Sequence, residues 1–209
     1  MDKLDSVRIS FLKGDIVRDI IAYPRRTKET KGELRRKKIF NVKEYIDFVN
    51  EYNGKEHVAV QVNSDLNISL GIFDTLFLDF DGNGNVNDVY EEAKRINSEF
   101  GGRLYFSGKK GFHLYLDFKP IYLGNRYRDV FVRFVSEKIK SKYLDKQTLV
   151  DKRRMARVIY TVNMSSGAYM IPVERDEGLN SILARSLELN EDDVFNHKVA
   201  VNENISDEL

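Results

Sequence analysis

The stretch Leu76-Phe77-Leu78-Asp79-Phe80-Asp81-Gly82 constrains this chain most, because it sets two carboxylates two residues apart in an apolar run and then breaks at glycine. Extended backbone alternates its side chains between two faces. Leu76, Leu78 and Phe80 would then share one side of a strand, and Phe77, Asp79 and Asp81 the other. Two anions at that spacing repel unless a cation lies between them, and an all-oxygen site suits Mg²⁺ or Mn²⁺. A metal-dependent site at the end of a central strand is the first expectation.

Composition narrows how such a metal can be held. The chain has no cysteine and only three histidines, well separated, which excludes disulfides and thiolate zinc sites and leaves carboxylates as the ligands. Its 209 residues, 42% hydrophobic and 32% charged, suit one globular domain with a substantial core. No apolar run approaches the length of a membrane span, and the N-terminus lacks the apolar core of a signal peptide. The expected location is the cytoplasm, with no membrane partner.

The net charge of +1 conceals segregation. Residues 25–38 carry Arg25, Arg26, Lys28, Lys31, Arg35, Arg36, Lys37 and Lys38 against Glu29 and Glu33. Alone, such a run reads as a solvated loop; beside a phosphate-handling site it becomes a contact for a nucleic-acid backbone.

Apolar spacing predicts a helix over 42–52 and a strand over 57–63. From residue 75 a regular order follows: strand 75–81, polar turn 82–85, helix 87–100, strand 103–107, strand 112–118, helix 125–143 and strand 155–163. This is the β-α-β-β-α-β order of a ferredoxin-like or RRM-like unit, in an α/β (α+β) chain. The expected division is an N-terminal α/β lobe over 1–74, the RRM-like unit over 75–175, and a C-terminal helix with a polar tail over 176–209. In that topology the first and third strands are central neighbours, the fourth flanks the first, and both helices cover one face. By parity the open face would carry Asp79, Asp81, Tyr105, Ser107, His113, Tyr115, Arg157 and Asn163.

Two further motifs bear on chemistry. In Ser107-Gly108-Lys109-Lys110-Gly111-Phe112-His113, glycines allow close approach to a ligand, two lysines supply charge, and His113 returns to the acidic face. The set suits a triphosphate, though it is not a P-loop, because Arg103 stands where the first glycine is required. Farther on, Asp145 and Asp151 precede Arg153, Arg154 and Arg157, and either acid would supply the third carboxylate of a two-metal site. Other readings of Asp79-x-Asp81-Gly82 fare less well: a phosphatase with Asp79 as nucleophile wants Ser or Thr at Asn83, and a calcium loop wants Glu at Tyr90.

Together, in this order over residues 75–173, the three motifs resemble the archaeo-eukaryotic primase superfamily, in particular the small catalytic subunits of DNA primases and the primase-polymerase cores. The resemblance implies Asp79 and Asp81 as ligands of two divalent ions, Mg²⁺ or Mn²⁺, and Ser107, Lys109, Lys110 and His113 as triphosphate contacts. The family's Leu-Asp, a basic residue twelve positions on, and its Ser-Val-His…Gly ending fall on Asp145, Arg157, Thr161-Val162-Asn163 and Gly167, which favours Asp145 over Asp151. Asn163 stands where a histidine is usual. The family's zinc-binding insertion is ruled out by the lack of cysteine, and the chain resembles a minimal catalytic core, as in compact archaeal, plasmid or viral members or the polymerase domains of end-joining ligases. The implied activity is template-directed nucleotidyl transfer: primer synthesis on single-stranded DNA from nucleoside triphosphates, with a large subunit or helicase as potential partner. Arg35, Arg36, Lys37 and Lys38 are the expected template contacts. The alternative is a non-catalytic nucleic-acid-binding subunit stacking bases on exposed Tyr105 and Tyr115.

Overall fold

The computed structural model describes residues 3–13, 15–24, 33–81, 85–189, 194 and 205. Helix α1 (Lys3–Phe11) leads into β1 (Arg18–Tyr23), β2 (Arg35–Ile39), α2 (Val42–Tyr52), β3 (His57–Gln61) and α3 (Asp65–Leu70). Then come β4 (Ile72–Phe80), α4 (Val86–Phe100), β5 (Arg103–Phe106), β6 (Phe112–Tyr122), α5 (Tyr127–Phe134) with a π-helical turn (Val135–Ile139), β7 (Met155–Arg157), β8 (Ile171–Pro172) and α6 (Leu179–Leu187). Most of the expected elements are present. No described helix is long and apolar enough to cross a membrane.

Local chemistry explains the boundaries. Asn41 caps α2 by accepting from the Glu44 N–H at 2.9 Å, while the Glu44 carboxylate accepts from the Phe40 N–H at 2.8 Å. Tyr45, Phe48, Val49 and Tyr52 then recur on one face, and the first three are buried. In α4 the cap is Asn85, and Val89, Ala93, Ile96 and Phe100 form the buried stripe.

The strands form two antiparallel four-stranded sheets, in the orders β2-β1-β3-β7 and β4-β6-β5-β8. In the second, β4 and β6 are neighbours and β5 lies beyond β6, as the split-unit topology requires, but β4 stands at the edge of the sheet rather than at its centre, because the expected fourth strand does not flank it. Leu76, Leu78, Phe80, Leu104, Phe106, Phe112, Leu114 and Leu116 are all buried. That face meets the helices, with Tyr90 of α4 packing on Phe112 and Phe131 of α5 on Phe118. A bulge extends it: between the Phe73–Ile121 and Thr75–Asp117 pairs the register shifts, and Phe73 turns to stack on Tyr127. Pro120 falls within that bulge, so β6 continues past a residue that would otherwise interrupt the ladder.

The fourth strand departs from expectation. Only Met155–Arg157 of the 155–163 segment is extended, and it pairs with β3 in the first sheet. The segment then wedges between the layers: Val158, Ile159, Tyr160 and Thr161 are consecutively buried, and Tyr160 turns to φ 56° with its carbonyl accepting from Arg8 at 3.0 Å. Flanking β4 instead is Leu144, bridged antiparallel to Phe80.

The opposite face of the second sheet is not open along its length. Phe11 of α1 packs edge-on against Tyr105 and Tyr115 at 5.5 and 5.3 Å, leaving them 1% and 3% exposed. Those tyrosines therefore offer no stacking platform for bases. Beneath them Arg103 clasps Asp117 through two hydrogen bonds, at 2.6 and 3.0 Å. The face opens at Asp79 and His113, toward the first sheet.

Candidate active site

That opening is a cleft of about 450 Å³ between the sheets, lined on one side by Asp79 and His113 and on the other by Ile21, Tyr23 and the residues 154–157. Strand alternation delivers Asp79 and His113 together, since they are register partners across β4 and β6. Asp145 arrives by the bridge beside β4: its N–H donates to the Asp79 carbonyl at 2.9 Å, and the Asp81 N–H donates to the Tyr143 carbonyl at 3.1 Å. Three acids from two distant segments thus meet at one strand end.

Burial pushes the Asp79 carboxyl up to about 6; Arg154 pulls it down, and the charges of Asp81 and Asp145 push it higher. Arg154 Nη2 donates to Asp79 Oδ2 at 2.8 Å. His113 Nε2 lies 3.7 Å from Asp79 Oδ1, but burial and the nearby Arg157 and Arg154 hold the imidazole down at about 3. The ring is neutral at working pH, so this contact is not an ion pair. Its Nδ1 is buried with no hydrogen-bond partner among the described residues.

The glycine-lysine turn sits beside Asp81. Ser107 N–H donates to the Gly111 carbonyl at 2.9 Å, and Lys110 reaches back to Asp81 at 3.1 Å while Lys109 stays exposed. Gly111 passes so close to β4 that a Cβ there would stand 2.7 Å from the Phe80 carbonyl. Asn163 braces the turn rather than facing outward, donating to the Ser107 carbonyl at 3.4 Å and accepting from the Ser165 N–H at 3.0 Å. Ser166 donates to the Gly108 carbonyl.

Arg157 lines the cleft and donates to His57 Nδ1 at 2.9 Å, with Tyr23 stacked on that imidazole at 5.0 Å. Arg154, Tyr23 and His57 are residues the motifs did not single out as site residues. The run Lys152-Arg153-Arg154 was a visible signal for the first; nothing local marks the other two, which meet only as cross-strand partners. Asp151 instead closes its own turn by accepting from the Arg153 N–H at 2.9 Å.

The basic segment divides. Residues 25–32, with Arg25, Arg26, Lys28 and Lys31, lie outside the described residues, as do Gly82, Asn83 and Gly84 of the polar turn and most of the C-terminal tail. The other four cations alternate along β2. Arg36 and Lys38 pair across the strand with Ile21 and Asp19 and engage the Asp19 carboxylate, Lys38 also contacting Asp65. Arg35 and Lys37 point to the other side, Arg35 binding Glu56 at 3.2 Å and lying over the Tyr52 ring. Arg153 joins the first group at 3.9 Å from Asp19.

Among the described residues, no three Asp, Glu or His side chains stand close enough to hold a metal as they are. Asp79 is tied to Arg154, Asp81 to Lys110 and the Asp145 carboxylate to the Gln147 N–H. The donor chemistry is nonetheless of the kind a hard divalent cation takes: Asp79 feels the charges of two further carboxylates, and Asp79 and Asp81 each carry a cationic side chain.

No family model matches the sequence, and no curated protein matches it. Among solved structures, the fold is similar to the AEP domain of the cyanophage S-2L primase-polymerase, at 15% identity over 88% of this chain and 97% of that one, with a TM-score of 0.59. It is also similar to the catalytic domain of primase RepB′ in complex with initiator DNA, at 12% identity over 84% of this chain and 87% of that one, with a TM-score of 0.56. A second RepB′ primase structure gives 10% identity over 84% of this chain and 57% of that one, with a TM-score of 0.56. At these identities the likeness is one of fold: the chain has the architecture of the archaeo-eukaryotic primase domain.

Proposed function

We propose that this chain, with its primase-type fold, is a template-directed nucleotidyltransferase that makes primers on single-stranded DNA from nucleoside triphosphates. The observation that carries the proposal is that Asp79 lines the cleft and feels the charges of Asp81 and Asp145, while a lysine-bearing turn pairs with Asp81. Two divalent ions, Mg²⁺ or Mn²⁺, when bound by those acids would lower the pKa of the attacking 3′-hydroxyl and stabilise the departing pyrophosphate.

The chain's own residues supply the rest. Lys109, Lys110 and Arg157 offset the negative charge of the triphosphate tail, and the Ser107–Gly111 turn presents main-chain donors to it. Neutral His113 orients a phosphate oxygen by hydrogen bonding rather than by charge. Asn163 acts through the turn it braces. Arg36 and Lys38, on the cleft side of β2, offer the template backbone its positive rim.

The test is incorporation of labelled nucleotides on single-stranded DNA with Mn²⁺, comparing the wild type with Asp79→Ala and Asp145→Ala. Product from the wild type alone supports the reading. Absence of product under all conditions, with DNA binding retained, would identify a non-catalytic binding subunit instead.

A further inference from the structure

Arg154 stands where the proposed function needs a metal. Its Nη2 is 2.8 Å from Asp79 Oδ2, and its guanidinium lies over the Phe77 ring at 5.7 Å. Its main chain belongs to the other sheet: the Arg154 carbonyl accepts from the Val62 N–H at 2.9 Å, and its N–H donates to the Asp151 carbonyl at 3.0 Å. The side chain thus spans from a fixed base to the acid, and its buried Nε has no hydrogen-bond partner among the described residues. It can swing without disturbing either strand.

An acid cluster without a counter-ion would repel itself, and Arg154 supplies that counter-ion in the free protein. A divalent cation on Asp79 would face a guanidinium bound to the same carboxylate, so one must leave. A planar fork of N–H donors released beside the cleft finds its best acceptor in a phosphate group.

We propose that Arg154 is a positioning residue that occupies the metal's place at Asp79 in the free protein and passes to a substrate phosphate when the ion enters. Metal and nucleotide then bind cooperatively, and the ion alone binds weakly. This rests on the nucleotidyltransferase reading and adds to it an order of events: an exchange of cations at one carboxylate, with the arginine acting as the link between the two ligands.

The test is Mn²⁺ binding to the full chain without nucleotide, read by the electron paramagnetic resonance signal of the free ion. The proteins compared are wild type, Arg154→Met, Arg154→Gln, Arg154→Lys and Asp79→Asn. Both neutral variants should bind Mn²⁺ about tenfold more tightly than the wild type, within the usual range of coupling between sites. Arg154→Lys should return towards the wild-type value. A purely structural arginine bridging the sheets would leave Mn²⁺ affinity unchanged or lower it, and either result overturns the proposal. In a parallel arm a fluorescent nucleoside triphosphate is titrated with and without Mn²⁺; the wild type should gain more from the ion than the neutral variants do. If Mn²⁺ binds in an Asp79-dependent way but equally to wild type and neutral variants, the exchange is wrong and the metal site stands. If no Asp79-dependent binding occurs in any variant, both the exchange and the nucleotidyltransferase reading fall.

Discussion

The main-chain N–H of Asp145 donates to the carbonyl oxygen of Asp79 at 2.9 Å, so the third acid is held by backbone pairing and its carboxylate is free of that task. Leu144, bridged to Phe80 and 8% exposed, anchors the segment. Asp145→Asn keeps every main-chain bond while removing the charge. Its thermal unfolding should match the wild type within about 0.5 kcal/mol, as for substitutions that disturb no packing. Nucleotide incorporation should fall at least about a hundredfold, the scale of losing one group that stabilises transition-state charge. Equal activity in wild type and Asp145→Asn would remove Asp145 from the chemistry.

His113 contributes a pH-dependent part to the stability, whose sign follows from its burial. Burial, with Arg157 and Arg154 nearby, depresses its pKa from 6.5 to about 3. Below pH 6.5 the unfolded chain takes up a proton that the folded protein refuses until about pH 3. Stability contributed by the neutral ring is full above 6.5 and is lost as the pH falls through that window, by up to about 1.4 kcal/mol per unit. Asp79, raised from 3.8 to about 6, acts in the opposite sense between those values, because there the folded protein binds the proton that the unfolded chain does not. In urea midpoints measured between pH 4 and 8, His113→Gln should therefore gain stability relative to the wild type on the acid side, and Asp79→Asn should lose it. An unchanged slope in His113→Gln would show that another group carries the acid sensitivity.

Much of this was legible in the sequence because it depends on local periodicity. Alternation along β4, β5 and β6 sorted the buried leucines and phenylalanines from Asp79 and His113, and the glycine-lysine turn announced itself by composition. Two things were not legible. Tyr105 and Tyr115 lie on the expected face, but Phe11, from the far end of the chain, covers them, and no local signal reports what packs on a sheet from a distance. The second is the fate of residues 155–163. Their alternation fits a strand, yet burial of both parities from Val158 to Thr161 and the left-handed Tyr160 belong to a chain crossing between layers. Arg154, in turn, was visible as a charge but not as the partner of Asp79, because that contact joins the two sheets.

Gly111 should tolerate no side chain. A Cβ there would meet the Phe80 carbonyl at 2.7 Å, a main-chain atom that β4 pairing holds in place. Gly111→Ala should lower stability by about 1–3 kcal/mol and displace the turn that carries Lys110 over Asp81. Urea unfolding reads the first effect, and the affinity for a nucleoside triphosphate reads the second. A variant of full stability would mean that the turn gives way more readily than its close approach suggests.

The Arg103–Asp117 pair holds the covered half of the second sheet. Asp117 is 0% exposed, accepts from Arg103 at 2.6 and 3.0 Å and from Thr75 at 2.9 Å, and Arg103 also donates to the Phe11 carbonyl at 3.0 Å. Removing one partner strands a buried charge. Asp117→Ala should therefore cost about 3–5 kcal/mol, whereas Arg103→Met with Asp117→Leu should recover a large part of that loss. Denaturant unfolding of both single variants and the double variant checks it. A double variant as unstable as the singles would show that shape, not charge, governs the site.

Alternation along β2 separates two sets of cations that the sequence presents as one block. Arg36 and Lys38 lie on the cleft side with Arg153, while Arg35 and Lys37 lie on the other. All three cleft-side cations engage Asp19, so their attraction for phosphate is already partly spent within the protein. If the template runs along the cleft, Arg36→Gln with Lys38→Gln should weaken binding of single-stranded DNA and lower the slope of log affinity against log salt by up to about 1.4, at about 0.7 for each phosphate no longer neutralised. Arg35→Gln with Lys37→Gln should leave that slope nearly unchanged. Fluorescence anisotropy across a salt series measures both. Equal weakening by the two pairs would mean that the DNA senses only the summed charge of the strand, and full affinity in both would place the template elsewhere.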